Sequence, residues 1–361
     1  MNILGALPAL LDPGQPMFLI LVATARCNAR CGFCFYADEV RGADPASELS
    51  LEEHARISRG CGRIPYLLLS GGEPVLRDDL RDIVSCYIRN AGTRYVNVPS
   101  NGLSPDRSEA FFRDMTAEFP GVHFRGALSI DFPDERHDGS RGVPGCLEKV
   151  RETASRFRAI REETHNFSMD VVSVYMPGNS SCMDELRSWV ASGIRPDNHE
   201  VHLLRPEWPS TCAPGIDPEA FAREHARFRD EGRRREKRPL SAFFRALNNE
   251  YIAEVGSILG GGRGPACPAG RRIVVLDEAG RLKLCEPRGI VLGDVRESGY
   301  RFRPILGSRR TKDLVRSLRG RERCSCTWEC SLSTAIVFSP CRWPHLAAGT
   351  IRESMGRNRR R

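Results

Sequence analysis

The sequence has no apolar run long enough to cross a membrane, since a spanning helix needs about 20 consecutive apolar residues. Residues 1–8 contain no Lys or Arg, and prolines follow at positions 13 and 16. This pattern lacks the basic region of a secretory signal peptide, and the prolines soon interrupt the segment. We therefore expect a cytoplasmic protein without a membrane partner.

Lysine is scarce, with four among the 54 basic residues, and the formal net charge is +8. The arginines are spread along the chain and mixed with acidic residues. The only dense basic runs lie at 233–235 and 357–361, and we interpret them as solvated faces or chain ends. The charge pattern therefore predicts no nucleic-acid partner.

Internal repeats and low-complexity segments are also absent, which excludes a solenoid. The glycine-rich run at 260–264 follows no apparent strand and precedes no Gly-Lys-Ser/Thr, so it does not indicate a phosphate-binding loop. A chain of 361 residues can bury one large core plus a smaller module.

Cysteine, in contrast, is abundant at 14 residues. Intracellular cysteines indicate metal binding or catalysis rather than disulfides. Cys27, Cys31 and Cys34 have the spacing C-x3-C-x2-C. Three such thiolates can hold three corners of a [4Fe–4S] cluster and leave the fourth iron without a protein ligand. Zinc ligands or small buried apolar residues are the alternatives.

Short apolar segments alternate with amphipathic helical stretches as far as about residue 210. This order predicts an α/β fold with a parallel sheet. The predicted strands are 17–24, 66–70, 94–99, 122–130, 168–175 and 200–204. The predicted helices include 50–60, 77–91, 106–118, 145–163 and 182–192.

The cysteine run, with the aromatic Phe33 before its third cysteine, resembles the radical S-adenosylmethionine (SAM) superfamily. The predicted strand that ends in Ser70-Gly71-Gly72-Glu73-Pro74 resembles the same superfamily. The resemblance implies a partial (β/α)6 barrel, open on one side, with a cluster whose free iron binds SAM. Function then belongs at the carboxyl ends of the strands, as in complete barrels.

The resemblance also implies which side chains bind SAM. Glu73 would accept a hydrogen bond from the methionyl amino group, and the glycines before it would let the backbone approach the ligand. Ser129 and Arg141 would bind the carboxylate, which suits a guanidinium. Phe132 stands where the family often has glycine. The implied SAM-binding residues are Phe33, Gly71, Gly72, Glu73, Pro74, Ser100, Asn101, Ser129, Asp131 and Arg141.

Beyond residue 266 the sequence predicts a β-hairpin over 272–285 that brings Cys267 close to Cys285. A helix at 308–319 and further cysteines follow. This layout resembles the twitch or SPASM extension of radical SAM enzymes and implies one auxiliary [4Fe–4S] cluster. Its expected ligands are Cys267, Cys285, Cys326 and Cys330, with Cys324 as the alternative ligand; a zinc-ribbon-like site is the other interpretation.

We expect five parts in the chain. They are an entry segment (1–16), the radical SAM partial barrel (17–216), a helical linker (217–265), the auxiliary cluster domain (266–345) and a basic tail (346–361).

The resemblance implies reductive cleavage of SAM to a 5′-deoxyadenosyl radical that abstracts a hydrogen atom, with a flavodoxin- or ferredoxin-type electron donor. The short segment before the first strand and the single auxiliary cluster favour a small-molecule substrate. We expect an oxidoreductase that oxidises, epimerises or dehydrates a sugar, cyclitol or related natural-product intermediate. The alternatives are maturation of a ribosomally made short peptide and a non-catalytic iron–sulfur or zinc protein.

Arg205, just after the sixth predicted strand, is the candidate catalytic residue, because it could orient or help deprotonate a substrate hydroxyl. Its alternatives nearby are His202, Glu207 and Trp208. An epimerase would also need a thiol as hydrogen donor, for which Cys182 and Cys212 are candidates.

Overall fold

The computed structural model describes residues 14–205, 212–235, 241–319 and 326–358. Its centre is a nine-stranded sheet in the order β6-β5-β4-β3-β2-β1-β7-β8-β9. The strands are β1 (Phe18–Thr24), β2 (Tyr66–Gly71), β3 (Tyr95–Ser100), β4 (His123–Ser129), β5 (Phe167–Tyr175), β6 (Asn198–Leu203), β7 (Ile273–Leu276), β8 (Arg281–Lys283) and β9 (Val291–Asp294).

The first six strands pair in parallel in chain order, from β1 with β2 to β5 with β6, and the sheet does not close on itself. The predicted fold class, an α/β partial barrel, is therefore confirmed. Because all six strands run the same way, their carboxyl ends share one edge.

Helices follow most of these strands and cover the outer face of the sheet. The second, α2, begins with the capping box that the sequence predicts, in which Ser50 and Glu53 bond reciprocally. The helices are α1 (Ala37–Arg41), α2 (Leu51–Gly60), α3 (Leu80–Ala91), α4 (Pro105–Glu118), α5 (Arg136–Arg141), α6 (Cys146–Glu163), α7 (Met183–Trp189), α8 (Pro218–Arg235), α9 (Ser241–Leu259), α10 (Phe302–Leu306), α11 (Arg309–Arg319), α12 (Glu329–Val337) and α13 (Trp343–Asn358).

A layer of rings fills the inner face of the barrel at the amino ends of the strands. Phe18, Tyr66, Tyr95 and His123 are consecutive register partners on β1 to β4, with ring centroids 4.3, 4.8 and 5.1 Å apart. These offset and tilted rings close that end of the barrel. Space for a ligand is left at the opposite, carboxyl end.

Helices α8 and α9 fall within the segment interpreted as a linker, yet they pack on the barrel. The ring of Phe221 lies 5.5 Å from Tyr175 on β5, and Phe228 lies 4.5 Å from His199 on β6. Tyr251 of α9 donates its hydroxyl hydrogen to the carbonyl of Thr327, just before α12. The two helices therefore connect the strand β6 edge with the C-terminal helices. None of the described helices is both long and apolar enough to cross a membrane.

The predicted hairpin is present as β7 and β8, and it extends the main sheet. Strand β7 pairs in parallel with β1 from Phe18 to Leu21, whereas β8 and β9 continue antiparallel. The sequence suggested a separate C-terminal module, but this pairing places the hairpin directly beside the first barrel strand. The loops after β1 and β7 therefore lie next to each other.

The end of β2 lies unusually close to the chain that leaves β1. Gly71 has φ +105°, a conformation that favours glycine. A Cβ on Gly72 would lie 2.7 Å from the carbonyl oxygen of Ala25 and overlap that of Arg26. In return, the Gly72 amide donates to the Thr24 carbonyl at 2.9 Å. The two glycines therefore let β2 pack against the start of the cysteine loop.

Substitution Gly72→Ala should destabilise the protein by about 1–3 kcal/mol, because a methyl group forced against backbone cannot be accommodated by moving a side chain. Gly32→Ala, inside the cysteine loop, is the matched control, since nothing lies within 4 Å of its added Cβ. Urea unfolding of both variants measures the effect. Equal stabilities for the two would contradict the packing role of Gly72.

Candidate active site at the carboxyl ends of the strands

The three cysteines of the motif lie in a tight loop after β1, and all are half-buried. The Cys34 amide donates to the Cys31 carbonyl at 3.2 Å. The Ala29 amide lies 3.4 Å from Cys27 Sγ, and Arg30 Nη1 donates to the Cys27 carbonyl at 2.7 Å. Hydrogen bonds within the loop thus fix its shape and leave the sulfurs available as ligands.

The electrostatics of this loop favour a bound cation. Burial raises the pKa of the Cys27 thiol, and the charges of Glu73, Cys31 and Cys34 raise it further. Burial likewise raises the pKa of Cys34, with Cys31 adding to the effect. Three thiolates together are therefore unfavourable without positive charge, which the irons of a cluster would provide.

A buried ionic network holds the start of the loop. Thr24 donates its hydroxyl hydrogen to Glu48, and the Glu48 carboxylate lies 3.4 Å from Arg26 and 3.5 Å from Arg77. Arg77 also pairs with Asp79 at 2.7 Å and donates to two main-chain carbonyls. This network fixes residues 24–26, to which the Gly-Gly-Glu-Pro turn is hydrogen-bonded.

Glu73 is 1% exposed and lies beside the cysteine loop. Its Oε2 accepts the Asn101 amide hydrogen at 2.7 Å, whereas Oε1 has no hydrogen-bond partner among the described residues. Burial raises the pKa of this carboxyl to about 7, although the bonds from Asn101 and Ser100 oppose the shift. A buried acceptor without a partner is costly, and a donor such as an ammonium group would satisfy it.

Arg141 supplies a buried positive charge on the other side of the loop. Its Nη2 lies 2.5 Å from Asp131 Oδ2, and its Nη1 lies 3.8 Å from Cys31 Sγ. Its Nε has no hydrogen-bond partner within the described ranges. Burial acts against the guanidinium charge, but Asp131 and Cys31 keep the pKa of Arg141 above its usual range. Asp131 therefore orients Arg141 and leaves donors available for a carboxylate.

The other predicted SAM-binding residues lie around this pair. Asn101 donates to Asn28 at 2.8 Å and approaches Cys27 Sγ at 3.7 Å, and the Phe33 ring lies 5.3 Å from the Arg141 guanidinium. The predicted residues at or just after strand ends are Gly71, Gly72, Pro74, Ser100 and Ser129. The glycines, however, face backbone of the cysteine loop, so close packing explains them without a ligand. Contact of these residues with SAM remains a prediction.

His137 lies in α5, which follows β4, and its Nε2 has no hydrogen-bond partner among the described residues. Its Nδ1 accepts the Asp131 amide hydrogen at 3.3 Å, and the ring is fully buried. Burial, followed by the charge of Arg141, lowers the pKa of His137 to about 4. Phe132, the departure from the family pattern, packs with Met176 and Cys182 beside Phe33.

The candidate catalytic Arg205 is bound to groups from three distant segments. Its Nη1 lies 3.1 Å from Glu286 Oε2, and Glu286 Oε1 accepts the Ser70 hydroxyl hydrogen at 2.6 Å. The Arg205 guanidinium lies 3.8 Å from the Phe35 ring centre and 5.9 Å from that of Trp328. The structure therefore places Arg205 at the barrel mouth, as the sequence predicts.

Charged side chains also line the inner face below this mouth. Arg125 on β4 pairs with Asp170 on β5 at 2.6 Å and with Glu200 on β6 at 2.7 Å. Glu200 and Glu329 lie 3.4 and 3.9 Å from the nitrogens of His202. Burial raises the pKa of Asp170 to about 6, whereas these two glutamates raise that of His202 against the effect of burial. Glu207 and Trp208, the remaining alternatives to Arg205, lie outside the described residues.

Three of the predicted auxiliary ligands lie near one another at the base of the hairpin. Burial raises the pKa of Cys285 to about 12, and the nearby thiolates of Cys267 and Cys326 raise it further. Cys330 opens α12 close to the acidic Glu286. Cys324 lies outside the described residues. An auxiliary cluster therefore remains a prediction for the C-terminal region.

Within the described ranges, no three His, Cys, Asp or Glu side chains converge closely enough to share one metal ion. In a cubane cluster each cysteine binds a different iron, so the thiolates need not converge on one point.

The structure combines an open parallel barrel with a three-cysteine loop after β1 and a Gly-Gly-Glu-Pro turn after β2. Residues 21–182 match the family model of the Radical SAM superfamily. This part of the chain is therefore similar to a radical SAM domain, a family that implies a [4Fe–4S] cluster and SAM.

Among curated proteins, a pre-heme d1 synthase of Dinoroseobacter shibae is 35% identical over 129 residues, which is 35% of this chain and 30% of the relative. The chain spans about a third of the length of the curated relatives that it matches first.

Two solved structures share the fold more widely. The AdoMet-bound structure of anSMEcpe matches with a TM-score of 0.58 at 14% identity, over 95% of this chain and 97% of that one. Streptococcus suis SuiB bound to the precursor peptide SuiA matches with a TM-score of 0.55 at 16% identity, over 85% and 69%. At these identities the likeness concerns the fold.

Sequence reasoning missed several residues of this region. Glu48 and Arg77 support the cysteine loop, Tyr36 donates to Glu278 at 2.7 Å beside it, and Glu286 connects β2 with Arg205. Glu286 directly follows Cys285, which is the only local signal, whereas its partner Ser70 lies 216 residues away in sequence.

Replacing Glu73 with Gln should stabilise the SAM-free protein at neutral and higher pH. The folded pKa of about 7 lies above the ordinary value near 4.5, so ionisation costs free energy only in the folded state. The free energy of unfolding of the wild type should therefore fall by about 3 kcal/mol relative to that of Glu73→Gln as pH rises from about 4.5 to about 7. Above about pH 7 the difference should stay constant.

Urea unfolding of anaerobically reconstituted protein from about pH 4.5 to about pH 8.5 measures this difference. The exposed Glu162→Gln is the matched control, for which we expect a curve parallel to the wild type. If the stability curve of Glu73→Gln also ran parallel to that of the wild type, ionisation of Glu73 would carry no free-energy cost in the folded protein.

Proposed function

We propose that this protein is a radical SAM enzyme that reductively cleaves SAM and abstracts a hydrogen atom from a small polar substrate. The observation that carries the proposal is the buried Oε1 of Glu73, which lacks a hydrogen-bond partner among the described residues and lies beside the three-cysteine loop. An acidic acceptor next to three thiols fits the ammonium group of an amino acid ligand.

Different residues around the loop would bind the cluster and the two charged groups of SAM. Cys27, Cys31 and Cys34 would hold the [4Fe–4S] cluster, Glu73 would accept hydrogen bonds from the SAM ammonium, and Arg141 would bind its carboxylate. When bound, the cluster supplies the electron that cleaves SAM to methionine and the 5′-deoxyadenosyl radical, which abstracts the substrate hydrogen. Glu73 and Arg141 are both buried, which strengthens their interactions with a charged ligand.

The substrate would bind at the barrel mouth, where Arg205, Glu286 and Ser70 meet. These groups support a polar small molecule such as a sugar or cyclitol, with oxidation, epimerisation or dehydration as the reaction. An auxiliary cluster on Cys267, Cys285, Cys330 and either Cys326 or Cys324 would provide an electron acceptor close to that mouth. A flavodoxin- or ferredoxin-type protein would supply the first electron.

Peptide modification is the second candidate function. Its support is that anSMEcpe has also been solved with AdoMet and the Cp18Cys peptide, with a TM-score of 0.57 over 95% of this chain. At 14% identity the two proteins share the fold, and this likeness of fold is the support for a peptide substrate.

Anaerobic reconstitution of wild type and of Cys27→Ala/Cys31→Ala/Cys34→Ala tests the proposal. We expect about eight irons and as many sulfides in the wild type, about four of each in the triple variant, and 5′-deoxyadenosine from the wild type alone after addition of dithionite and SAM. Cys86→Ala/Cys341→Ala, at a half-buried and an exposed position, should behave as wild type. Wild-type protein that holds iron and forms no 5′-deoxyadenosine would favour a non-catalytic iron–sulfur protein.

The auxiliary cluster has a separate test. Cys285→Ala should lose about four irons yet keep the SAM-cleaving cluster, because Cys285 follows β8 and is not one of the three cysteines in the loop after β1. Iron and sulfide counts and 5′-deoxyadenosine formation without substrate measure the two clusters independently. An unchanged iron count in Cys285→Ala would remove this residue from the ligand set.

A further inference from the structure

We propose that Arg205, Glu286 and Trp328 form a substrate subsite that binds two neighbouring hydroxyl groups of a polyhydroxylated ring. This inference deepens the proposed function and rests on it, because it names the substrate chemistry that the same active site would select.

The first element is a buried ion pair at the barrel mouth. The Glu286 side chain is 7% exposed and that of Arg205 is 25% exposed, and Nη1 lies 3.1 Å from Oε2. Arg205 makes no hydrogen bond to any described residue besides this contact with Glu286. Several of its five N–H donors therefore stay available to a ligand.

Neighbouring groups fix the position of this pair. Ser70 donates to the other Glu286 oxygen at 2.6 Å, and the Phe35 ring lies under the guanidinium at 3.8 Å. A guanidinium stacked on a ring and paired with an anchored carboxylate is restricted to few conformations. The pair is thus oriented before a ligand arrives.

The second, independent element is the indole of Trp328. This side chain is 4% exposed, and its Nε1 has no hydrogen-bond partner among the described residues. Its ring centre lies 5.9 Å from the Arg205 guanidinium. A buried indole N–H normally has an acceptor, so an oxygen atom of a ligand is the group that would complete it.

These groups together specify the class of ligand. Arg205 and Trp328 donate hydrogen bonds, and Glu286 accepts them, so the subsite needs a ligand that does both. Neighbouring hydroxyl groups satisfy this need, since each can donate and accept. A phosphate or an ammonium group would instead have to break a buried ion pair, which is unfavourable.

The subsite also adjoins the predicted SAM site. Ser70 directly precedes the Gly-Gly-Glu-Pro turn, and Phe35 directly follows Cys34. A ring bound between them would lie at the mouth of the barrel, next to the residues expected to hold SAM. The geometry therefore connects hydroxyl recognition with hydrogen abstraction.

The test uses full-length, anaerobically reconstituted protein with SAM, and myo-inositol as the probe in a ligand-observed NMR titration. Wild type should bind myo-inositol saturably and should not bind cyclohexanol, which has one hydroxyl. Trp328→Phe keeps the ring and removes the N–H, so binding should weaken about tenfold. Arg205→Lys keeps the charge and loses the planar array of donors, and should weaken binding at least as much.

Trp343→Phe is the matched control, because Trp343 is exposed and its Nε1 already donates to the Val337 carbonyl. It should bind myo-inositol as wild type does. Trp343→Phe should also keep the wild-type iron content and the wild-type rate of 5′-deoxyadenosine formation without substrate.

Two results would overturn the subsite: no saturable binding of myo-inositol by wild type, or binding by both Trp328→Phe and Arg205→Lys that equals wild type. Failure of the proposed function has a different readout, namely the absence of 5′-deoxyadenosine from wild type. The two failures can therefore be distinguished in the same preparations.

Discussion

The site depends on the close approach of the β2 end to the chain that leaves β1. Because Gly71 and Gly72 have no Cβ, the amides of Gly72 and Glu73 reach the Thr24 and Arg26 carbonyls at 2.9 and 2.8 Å. These bonds fix the start of the cysteine loop and, with the same turn, place the Glu73 carboxylate beside it. Any side chain at Gly72 would separate the two loops and move the acidic group away from the sulfurs.

Charge then gives this arrangement its chemistry. Glu48 and Arg77 are buried and paired, so they stabilise the loop without offering a free group. Glu73 differs, because one of its oxygens is buried without a partner among the described residues, and proteins keep such groups mainly where a ligand binds. Arg141, oriented by Asp131, provides the opposite charge. A zwitterionic amino acid group matches an acceptor and a donor placed on two sides of one loop.

Much of this could be predicted from the sequence, because the information is local. Apolar runs of strand length, a capping box at Ser50 and the cysteine spacing each depend on a few neighbouring residues. They were enough to predict the α/β fold class and to place the candidate site at the carboxyl edge of the sheet. The backbone that packs against Gly72 could not be predicted, since only tertiary structure shows that the Ala25 and Arg26 carbonyls occupy the space next to it. The contact of Glu286 with Ser70 and Arg205 joins segments far apart in sequence, and no periodicity or motif encodes such a contact.

The pairing of β7 with β1 explains why the C-terminal region belongs to the same site. A strand added beside β1 brings the loop after β7 to the cysteine loop, where Tyr36 donates to Glu278. The hairpin then returns and places Glu286 at the barrel mouth, directly after Cys285. A C-terminal thiol and a mouth carboxylate are thus neighbours in sequence as well as in space. We propose that an electron acceptor held by those thiols would lie close to a substrate bound by Glu286.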